Sequence, residues 1–361
     1  MKKIAYLLAH NINSNDGVTK KIEIQVNAWR AMGVSVRIFC IVPEYGNSDL
    51  LAHQYKSKGA LGQRLRLSSD LIDDVLAFNP EVIYYRYDTW SATLNKLAKN
   101  ISIIAELNTN DLGEAKLLLK EDKSVKSILR FGAFYLLRGF LIRSLSGIVG
   151  VTAEIVNLPA NAKYHVKSVC LPNSIDLAKY RPEKVLGCTE EERISLFFMG
   201  TPNQAWHGTD IIEKMAHRLP QFDFHLVGMD GNNTNNCYYH GYLSQIEYLK
   251  ILKKCHICIG TLALHRKNLN EASPLKVREY LAYGFPVILG YQDTAFLEGE
   301  QPDWVHVVGK NIDYDKLVDF IYAKSRYVVS HNELSCISSA LIEEKRLKFM
   351  QACYKQSDTK K

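Results

Sequence analysis

Two glutamates eight residues apart, at a predicted helix start, are the most chemically informative feature of this 361-residue sequence. Glu271 lies just before Ser273, and Glu279 lies inside the helix that follows. Ser273 suits the N-cap of that helix and Pro274 suits its first helical position, where a missing N–H is no loss. The pattern places one carboxylate before the helix and one inside it.

Two cations stand in the first turns of this predicted helix, where the helix macrodipole disfavours positive charge. They are Lys276 and Arg278. A bound anion would remove the conflict, and phosphate is the usual anion at a helix N-terminus. Gly284 can end the helix and Pro286 cannot continue it. The segment therefore predicts a site for a phosphorylated ligand flanked by two carboxylates.

Alternating strand and helix patterns surround this segment in two series. Apolar runs suited to buried parallel strands cover residues 4–9, 34–42, 81–86, 101–107 and 147–151 in the first series, and 194–199, 222–227, 256–260 and 286–289 in the second. Apolar stripes indicate helices at Ile22, Val26 and Trp29, and at Leu67, Leu71, Val75 and Phe78, with later helices from about Gly208, Ser244, Pro274 and Asp313. The alternation predicts doubly wound domains that bind ligands at the carboxyl ends of their strands.

Composition and charge exclude several classes. The chain is 47% hydrophobic and is long enough for two cores of ordinary size. Lys plus Arg exceed Asp plus Glu by 45 to 38, a mild excess that favours anionic ligands or lipid over a nucleic-acid groove. Eight scattered cysteines favour a reduced, cytosolic compartment. The first apolar run is too short for a signal peptide, and three arginines interrupt residues 128–149, so we predict no membrane span.

Four segments, taken in order, resemble the retaining GT-B glycosyltransferases of family 4, the glycogen-synthase-like group. They are the pair Glu271 and Glu279, the Pro-Asn-Ser-Ile-Asp run from residue 172, residues 198–210 with Trp-His-Gly-Thr-Asp, and residues 226–243 with Leu-Val-Gly and His-Gly-Tyr-Leu. The resemblance covers most of the chain and implies two Rossmann-like domains facing each other across a cleft. The expected parts are an acceptor-side domain at 1–168, a linker at 169–182, a nucleotide-sugar domain at 183–329, and, at 330–361, a C-terminal helix that crosses back to the first domain and ends in a frayed tail.

The resemblance also implies roles for single residues. Glu279 would hold the ribose hydroxyls, Glu271 would lie against the donor sugar, and the amides after Ser273, at Leu275 and Lys276, would meet the diphosphate. The remaining expected donor-binding residues are Arg278, His207, Thr201, Gly17 and Tyr242. Glu106 and Asn108 join Glu271 as expected catalytic residues, at a strand end where the family commonly has a histidine.

The sequence departs from the family where phosphate is bound. Thr201 and His207 stand where the family usually has Arg and Lys, so Lys276 or Arg278 would supply the missing charge. If His207 must be protonated, activity should fall as the pH rises past a pKa near 6.5. The alternative is that His207 only orders the loop beside Trp206.

Other polar residues have two interpretations each. Gly17, in the loop from residue 13, either allows a phosphate or sugar to approach or belongs to a plain turn. Asn110 and Asp111 suit hydroxyl recognition or cap the next helix. Arg86 and Asp88 are either cleft residues or a surface ion pair.

The possible metal and membrane motifs also have two interpretations each. The Cys-x-x-Cys at residues 255–258 favours core packing over zinc, and Asp313 with Asp315 favours helix capping over metal binding, so we predict no metal and no cofactor. Lys120, Lys123, Lys126 and Arg130 share one face of a predicted helix. That face suits anionic lipid headgroups or is simply solvated.

The sequence therefore predicts a retaining glycosyltransferase that moves a sugar from a nucleotide-diphosphate donor to a lipid-linked or polysaccharide acceptor. The resemblance implies bacterial surface glycan synthesis, of capsule, O-antigen or exopolysaccharide. We expect a cytoplasmic protein, peripheral on the inner face of the membrane, that binds no nucleic acid. A sugar-nucleotide epimerase of the same fold and a non-catalytic nucleotide-sugar-binding paralogue are the alternatives.

Overall fold

The chain folds into two compact units, residues 1–172 with 339–361 (unit 1) and residues 173–338 (unit 2). The computed structural model describes residues 1–12, 16–46, 51–57, 59, 65–121, 124–183, 193–297 and 299–358. Each unit is built on one parallel β-sheet.

The sheet of unit 1 has seven strands. They are β1 (Lys3–Ala9), β2 (Ser35–Val42), β3 (His53–Lys56), β4 (Val82–Arg86), β5 (Ser102–Leu107), β6 (Gly147–Gly150) and β7 (Ser168–Cys170). Their order across the sheet is β3-β2-β1-β4-β5-β6-β7. The chain reverses its direction across the sheet between β1 and β4, which is the switch point where open α/β sheets bind ligands.

Helices cover both faces of this sheet. They are α1 (Gly17–Ala31), α2 (Ser69–Phe78), α3 (Ala92–Leu97), α4 (Asp111–Glu121), α5 (Val125–Ser144), α6 (Ala153–Val156) and α7 (Pro159–Ala162). Alternate side chains of β1 serve the two faces. Tyr6 packs in one core with Trp29 of α1, and Leu7 packs in the other with Val75 of α2.

The sheet of unit 2 has six strands in the order β10-β9-β8-β11-β13-β15. They are β8 (Ser195–Met199), β9 (Asp223–Val227), β10 (Cys237–Tyr239), β11 (Ile257–Ile259), β13 (Val287–Leu289) and β15 (Val305–Val307), and the short β12 (Glu271–Ala272) pairs separately with β14 (Gln292–Asp293). This is the Rossmann order, and its switch point lies between β8 and β11.

The helices of unit 2 form two layers around its sheet. They are α8 (Thr209–Arg218), α9 (Gln245–Leu252), α10 (Leu275–Ala282) and α11 (Tyr314–Lys324). Residues of α9 and α10 pack in one core, and residues of α8 and α11 pack in the other. Gly284 adopts φ 91 just after α10, in the left-handed region that favours glycine, and so ends that helix as predicted.

The last helix, α12 (Ser339–Asp358), belongs to unit 1. It packs against α1, where the Trp29 indole donates a hydrogen bond of 3.1 Å to Glu343. The prediction of one helix from Ser330 was wrong at its start. Ser330 caps a separate 3₁₀ segment, His331–Ile337, and the extended backbone of Ser338 divides that segment from α12.

Most predicted elements are confirmed. All nine predicted strands form within one or two residues, and Asn79 ends α2 in a left-handed conformation. Leu67 lies outside α2 and is 51% exposed, so the predicted stripe began too early. Among the described residues, no helix is both long and apolar enough to cross a membrane. The exact domain boundaries stay a prediction.

Candidate functional site

The helix start that the sequence singled out lies beside the switch point of unit 2. Helix α10 begins at Leu275, and Pro274 is its N-cap with an extended ψ of 138. The prediction of Ser273 as the N-cap was therefore wrong by one residue. Its hydroxyl accepts hydrogen bonds from the Asn173 amide at 2.7 Å and from Arg278 at 2.8 Å instead.

Arg278 holds this helix start from behind. Its guanidinium is fully buried and donates to both carboxylate oxygens of Asp293, at 2.5 and 2.8 Å. It also donates to the Asn173 carbonyl at 2.8 Å. Since its nitrogens are engaged inside the protein, the structure does not favour the predicted contact between Arg278 and a donor. The residue positions Ser273 and the linker residue Asn173 against α10.

Lys276 is placed differently. Its Nζ donates to the Met199 carbonyl at the end of β8, at 3.0 Å, and lies 4.2 Å from the centre of the Phe198 ring. Among the described residues no carboxylate lies within 4.0 Å of it. Burial lowers the pKa of this amine to about 7. An uncompensated cation is costly to bury, so its position beside free helix N–H groups fits an anionic ligand.

His207 lies beside Lys276 but is not a cation. Its ring is buried, and burial together with the charge of Lys276 lowers the pKa of the imidazole to about 3. The Thr201 amide donates to Nδ1 at 3.4 Å, so the unprotonated nitrogen orders the loop after β8. Burial and the neighbouring charge of Lys276 therefore disfavour a protonated His207. The loop-ordering alternative fits the geometry.

The neighbouring loops are packed tightly. Gly228 has φ 87, and a Cβ there would lie 2.1 Å from the Gly200 carbonyl, so only glycine fits between the loops after β8 and β9. Tyr242 follows β10 and is 86% exposed, which leaves its ring open to solvent. Thr201 is also exposed.

Glu279 lies one turn further along α10 and is buried among phenols. Burial and then the charge of Glu279 raise the pKa of Tyr180 and Tyr248, and burial is also the main cause of the raised pKa of Tyr283. Glu271, on β12, is partly exposed just before the helix. Unit 2 therefore brings together Glu271, Glu279, Lys276, the α10 amides and the Thr201 loop.

The predicted catalytic residue Glu106 lies in unit 1 and has no exposed surface. Its carboxylate lies 3.1 Å from Lys21 Nζ, 3.0 Å from Arg346 and 3.8 Å from Arg86. Gln25 and Tyr84 donate to it at 2.9 Å. These cations hold its pKa well below the ordinary value despite burial. This environment does not favour direct contact between Glu106 and a substrate. Glu106 instead serves as the buried counter-charge of the surrounding cations.

Sequence reasoning missed the partners of Glu106. Lys21 donates to Asn108 at 2.6 Å, which fixes that predicted catalytic residue. Burial lowers the pKa of Lys21 to about 8. Arg346 comes from α12, 240 residues along the chain. The only sequence signal was a cation on the apolar face of a helix.

The other polar residues singled out in the sequence lie mainly at helix starts. Gly17 is the first residue of α1, capped by the Asp16 side chain, and residues 13–15 of its loop lie outside the described residues. Asn110 caps α4 by accepting from the Gly113 amide at 2.9 Å, whereas Asp111 pairs with Arg138. Asp313 caps α11, as predicted.

The cysteine pair also behaves as predicted. Cys255 and Cys258 form no disulfide bond, and both lie in the core. Among the described residues no group of three or more His, Cys, Asp or Glu could hold a metal. The metal requirement itself stays a prediction.

The neutral state of His207 has a measurable consequence for stability. Because its pKa is lowered on folding, the unfolded chain binds more protons between about pH 3 and 6.5, so the stabilising contribution of the neutral ring is lost as the pH falls through that window. The slope approaches about 1.4 kcal/mol per pH unit. We expect His207→Asn to flatten this acid limb in urea denaturation from pH 4 to 7. An equally steep limb in the variant would contradict the assignment.

The sequence itself matches no protein-family model and no curated protein. The structure is similar to Anabaena Alr3699/HepE in complex with UDP and glucose, with 13% identity, a TM-score of 0.61, and 96% of this chain and 99% of that chain covered. It is similar to the apo form of the lipopolysaccharide outer core galactosyltransferase WaaB, with 12% identity, a TM-score of 0.59, and coverage of 97% and 99%.

A third similar structure is an α-glucosyltransferase in complex with UDP-glucose and DNA containing an abasic site. It shares 14% identity and a TM-score of 0.57, with 99% of this chain and 98% of that chain covered. Identities this low show the fold and not the substrates. The chain has the GT-B fold, with two Rossmann-like domains.

Proposed function

We propose that this protein is a retaining glycosyltransferase of the family 4 type, whose donor is a nucleotide-diphosphate sugar bound by unit 2. The observation that carries the proposal is Lys276, a cation without a carboxylate partner among the described residues, placed at the N-terminus of α10. The solved structures with UDP or UDP-glucose on the same fold support it.

The donor would be held along α10. The diphosphate lies against the amides of Leu275 and Lys276, where the helix dipole and the Lys276 ammonium favour negative charge. Glu279 accepts hydrogen bonds from the ribose hydroxyls, and Glu271 lies against the sugar. The same amides and the Lys276 ammonium would stabilise the diphosphate as it leaves, because its negative charge increases at that point. Tyr242 and Thr201 complete the exposed rim.

The reaction would break the bond between the anomeric carbon and the diphosphate oxygen and form one to an acceptor hydroxyl, whose proton would pass to the departing diphosphate. The configuration of the sugar is retained. We propose no metal, because Lys276 and the helix N-terminus supply the positive potential that a metal would supply. A chelator that abolishes transfer would contradict this.

The acceptor is proposed to be a lipid-linked or polysaccharide glycan of a bacterial surface, met at the inner face of the cytoplasmic membrane. Of the predicted basic face only the Arg130 side chain lies within the described residues. Helix α5 instead presents apolar side chains outward, at Val125, Ile128, Leu129, Leu136 and Phe140. Their spacing places them on one side of the helix. Exposed Arg130 and Arg143 stand on the same helix, so an anionic bilayer suits it.

Replacing Leu129 and Leu136 by Gln should detach the protein from membranes. Losing two leucines from the lipid contact should lower the fraction bound roughly tenfold or more. Flotation with vesicles that contain phosphatidylglycerol measures it, and Leu76→Gln, an exposed leucine on α2, is the matched control. Equal flotation of the wild type with purely zwitterionic vesicles, or of the double variant with anionic ones, would overturn the membrane contact.

Turnover of a panel of nucleotide sugars, with and without membrane extract, tests the proposed function. Nucleotide release that depends on the extract supports transfer. Isomerised sugar would indicate an epimerase, and binding without turnover would indicate a non-catalytic paralogue. Because one similar structure contains DNA, duplex DNA belongs in the acceptor panel. Transfer to DNA would refute the glycan acceptor while leaving the donor site intact.

A further inference from the structure

A cavity of about 180 Å³ lies at the switch point of the unit 1 sheet. Its walls come from the carboxyl ends of β1, β2 and β4 and from residues 88–94, which lead into α3. This is the place where the topology of an open α/β sheet leaves room for a ligand. The cavity lies wholly within unit 1, whereas the residues proposed to bind the donor belong to unit 2.

The lining suits a neutral, hydroxyl-rich ring. Trp90 contributes an indole, Asp88 contributes an exposed carboxylate, and Ser91 and Thr93 contribute hydroxyls that are almost fully buried. The rest of the wall is mainly apolar, from residues such as Leu7. Among the described residues that line the cavity there is no Lys or Arg, so these residues supply no cation that would neutralise a phosphate.

The loop that carries these groups is already ordered. The Tyr85 hydroxyl accepts from the amides of Asp88 and Thr89, both at 3.2 Å, and donates to the Thr89 carbonyl at 2.9 Å. The Ser91 hydroxyl accepts from the Leu94 amide at 3.1 Å. Binding would therefore cost little ordering of the loop.

The size of the cavity suits one ring. A cavity of roughly 150 Å³ is known to admit benzene, so this one has room for a single six-membered ring. An aromatic face beside a carboxylate matches a pyranose, which has an apolar C–H face and vicinal hydroxyls at its edge.

We propose that this cavity binds one neutral pyranose ring of the acceptor, with Trp90 against its C–H face and Asp88 accepting hydrogen bonds from two neighbouring hydroxyls. The assignment of this ring to an acceptor rests on the proposed transferase function. It makes Trp90 and Asp88 specificity-determining residues, since a site built to bind sugar hydroxyls rejects analogues that lack them.

Saturation-transfer NMR with the full chain and methyl α-glycosides of glucose, galactose and mannose tests the site directly. We expect at least one glycoside to bind the wild type. Trp90→Ala and Asp88→Asn should each weaken it about tenfold, as expected for one aromatic contact or one charged hydrogen bond. Trp90→Phe keeps a ring if Trp90→Ala does not fold. Asp73→Asn, an exposed aspartate on α2 outside the cavity, should have no effect.

Titration of the same samples with nucleotide sugars separates this inference from the proposed function. Donor affinity should be unchanged in all the cavity variants. If nucleotide sugars bind but no glycoside does, or if the glycoside binds the Trp90→Ala and Asp88→Asn variants as tightly as it binds the wild type, the cavity assignment is overturned. An alkyl alcohol lacks the vicinal hydroxyls of a sugar. If it displaced the glycoside, the proposed recognition of sugar hydroxyls would also be overturned. If a glycoside binds as expected but no nucleotide sugar does, the cavity stands and the transferase function fails.

Discussion

Replacing Lys276 by Met should weaken donor binding by roughly 10- to 100-fold, the range expected for losing a hydrogen bond from a charged group. The variant should at the same time be more stable than the wild type. Lys276 lies partly buried against Phe198 and the Met199 carbonyl, without a counter-charge among the described residues. Met keeps the aliphatic stem and removes the cost of burying the charge.

The pH dependence sharpens this prediction. The pKa of Lys276 is lowered on folding to about 7. Below that value the folded protein carries the full cost of the charge, and the cost declines as the pH rises toward the unfolded pKa, so stability from this group rises with pH. Donor affinity should change in the opposite direction and fall above pH 7, because the neutral amine does not attract the diphosphate.

Calorimetric titration with a nucleotide sugar from pH 6 to 9 measures this effect. Lys276→Arg should flatten the profile because a guanidinium stays charged. His207→Gln is the control and should keep the wild-type slope, since the imidazole is already neutral across that range. If the pH profile of donor affinity became flat in His207→Gln but stayed unchanged in Lys276→Arg, our assignment of the phosphate-binding cation would be contradicted.

Replacing Glu106 by Gln should destabilise unit 1 by about 3–5 kcal/mol, the cost of leaving buried charges without their partner. Lys21 and Arg346 both lie within 3.1 Å of its carboxylate and have almost no exposed surface. Urea denaturation measures the loss. Glu344→Gln removes an exposed carboxylate that pairs with Lys348 on α12, and should cost under about 0.5 kcal/mol.

A double-mutant cycle separates a structural role for Glu106 from a catalytic one. Adding Lys21→Met to Glu106→Gln should restore part of the stability, because one of the stranded cations is removed. The folded fraction of Glu106→Gln should keep donor binding by unit 2. If Glu106→Gln were as stable as wild type but lost turnover, Glu106 would act on a substrate and our interpretation would be wrong.

The sequence predicted the fold well because apolar periodicity is a local property. Each buried strand that is long enough to form an apolar run was predicted, and capping residues and glycines indicated where elements begin and end. The missed strands are short or polar. His53–Lys56 at a sheet edge carries one aromatic among polar residues, and Val305–Val307 has only three residues. Such segments join a sheet because of their neighbours, which a local pattern does not reveal.

The candidate site was predicted in part, for a related reason. Lys276 and Arg278 are two positions apart, so their side chains leave α10 in nearly opposite directions. Only the location of Asp293, 15 residues later, shows that Arg278 faces the interior. In the same way Glu106 looked like a cleft residue, because its partner Arg346 is 240 residues away in sequence. The roles of charged residues depend on distant partners.

The burial of His207 was equally invisible to sequence reasoning. A histidine in the place of a family lysine suggested a titratable cation, but burial of the ring, which packs against Phe198, and the charge of Lys276 lower the pKa of His207. The glycines were more informative, since the requirement for Gly228 arises from its own backbone conformation and from one close contact.

Hydrogen exchange of backbone amides, measured with and without a saturating nucleotide sugar, tests the central claim most directly. We predict slower exchange at the start of α10, in the peptide that contains Leu275 and Lys276, and in the loop after β8 that contains Thr201. The effect should be lost with the matching nucleoside, which lacks the diphosphate. A nucleotide sugar that binds but leaves these amides unchanged, or the failure of every nucleotide sugar to bind, would contradict the account.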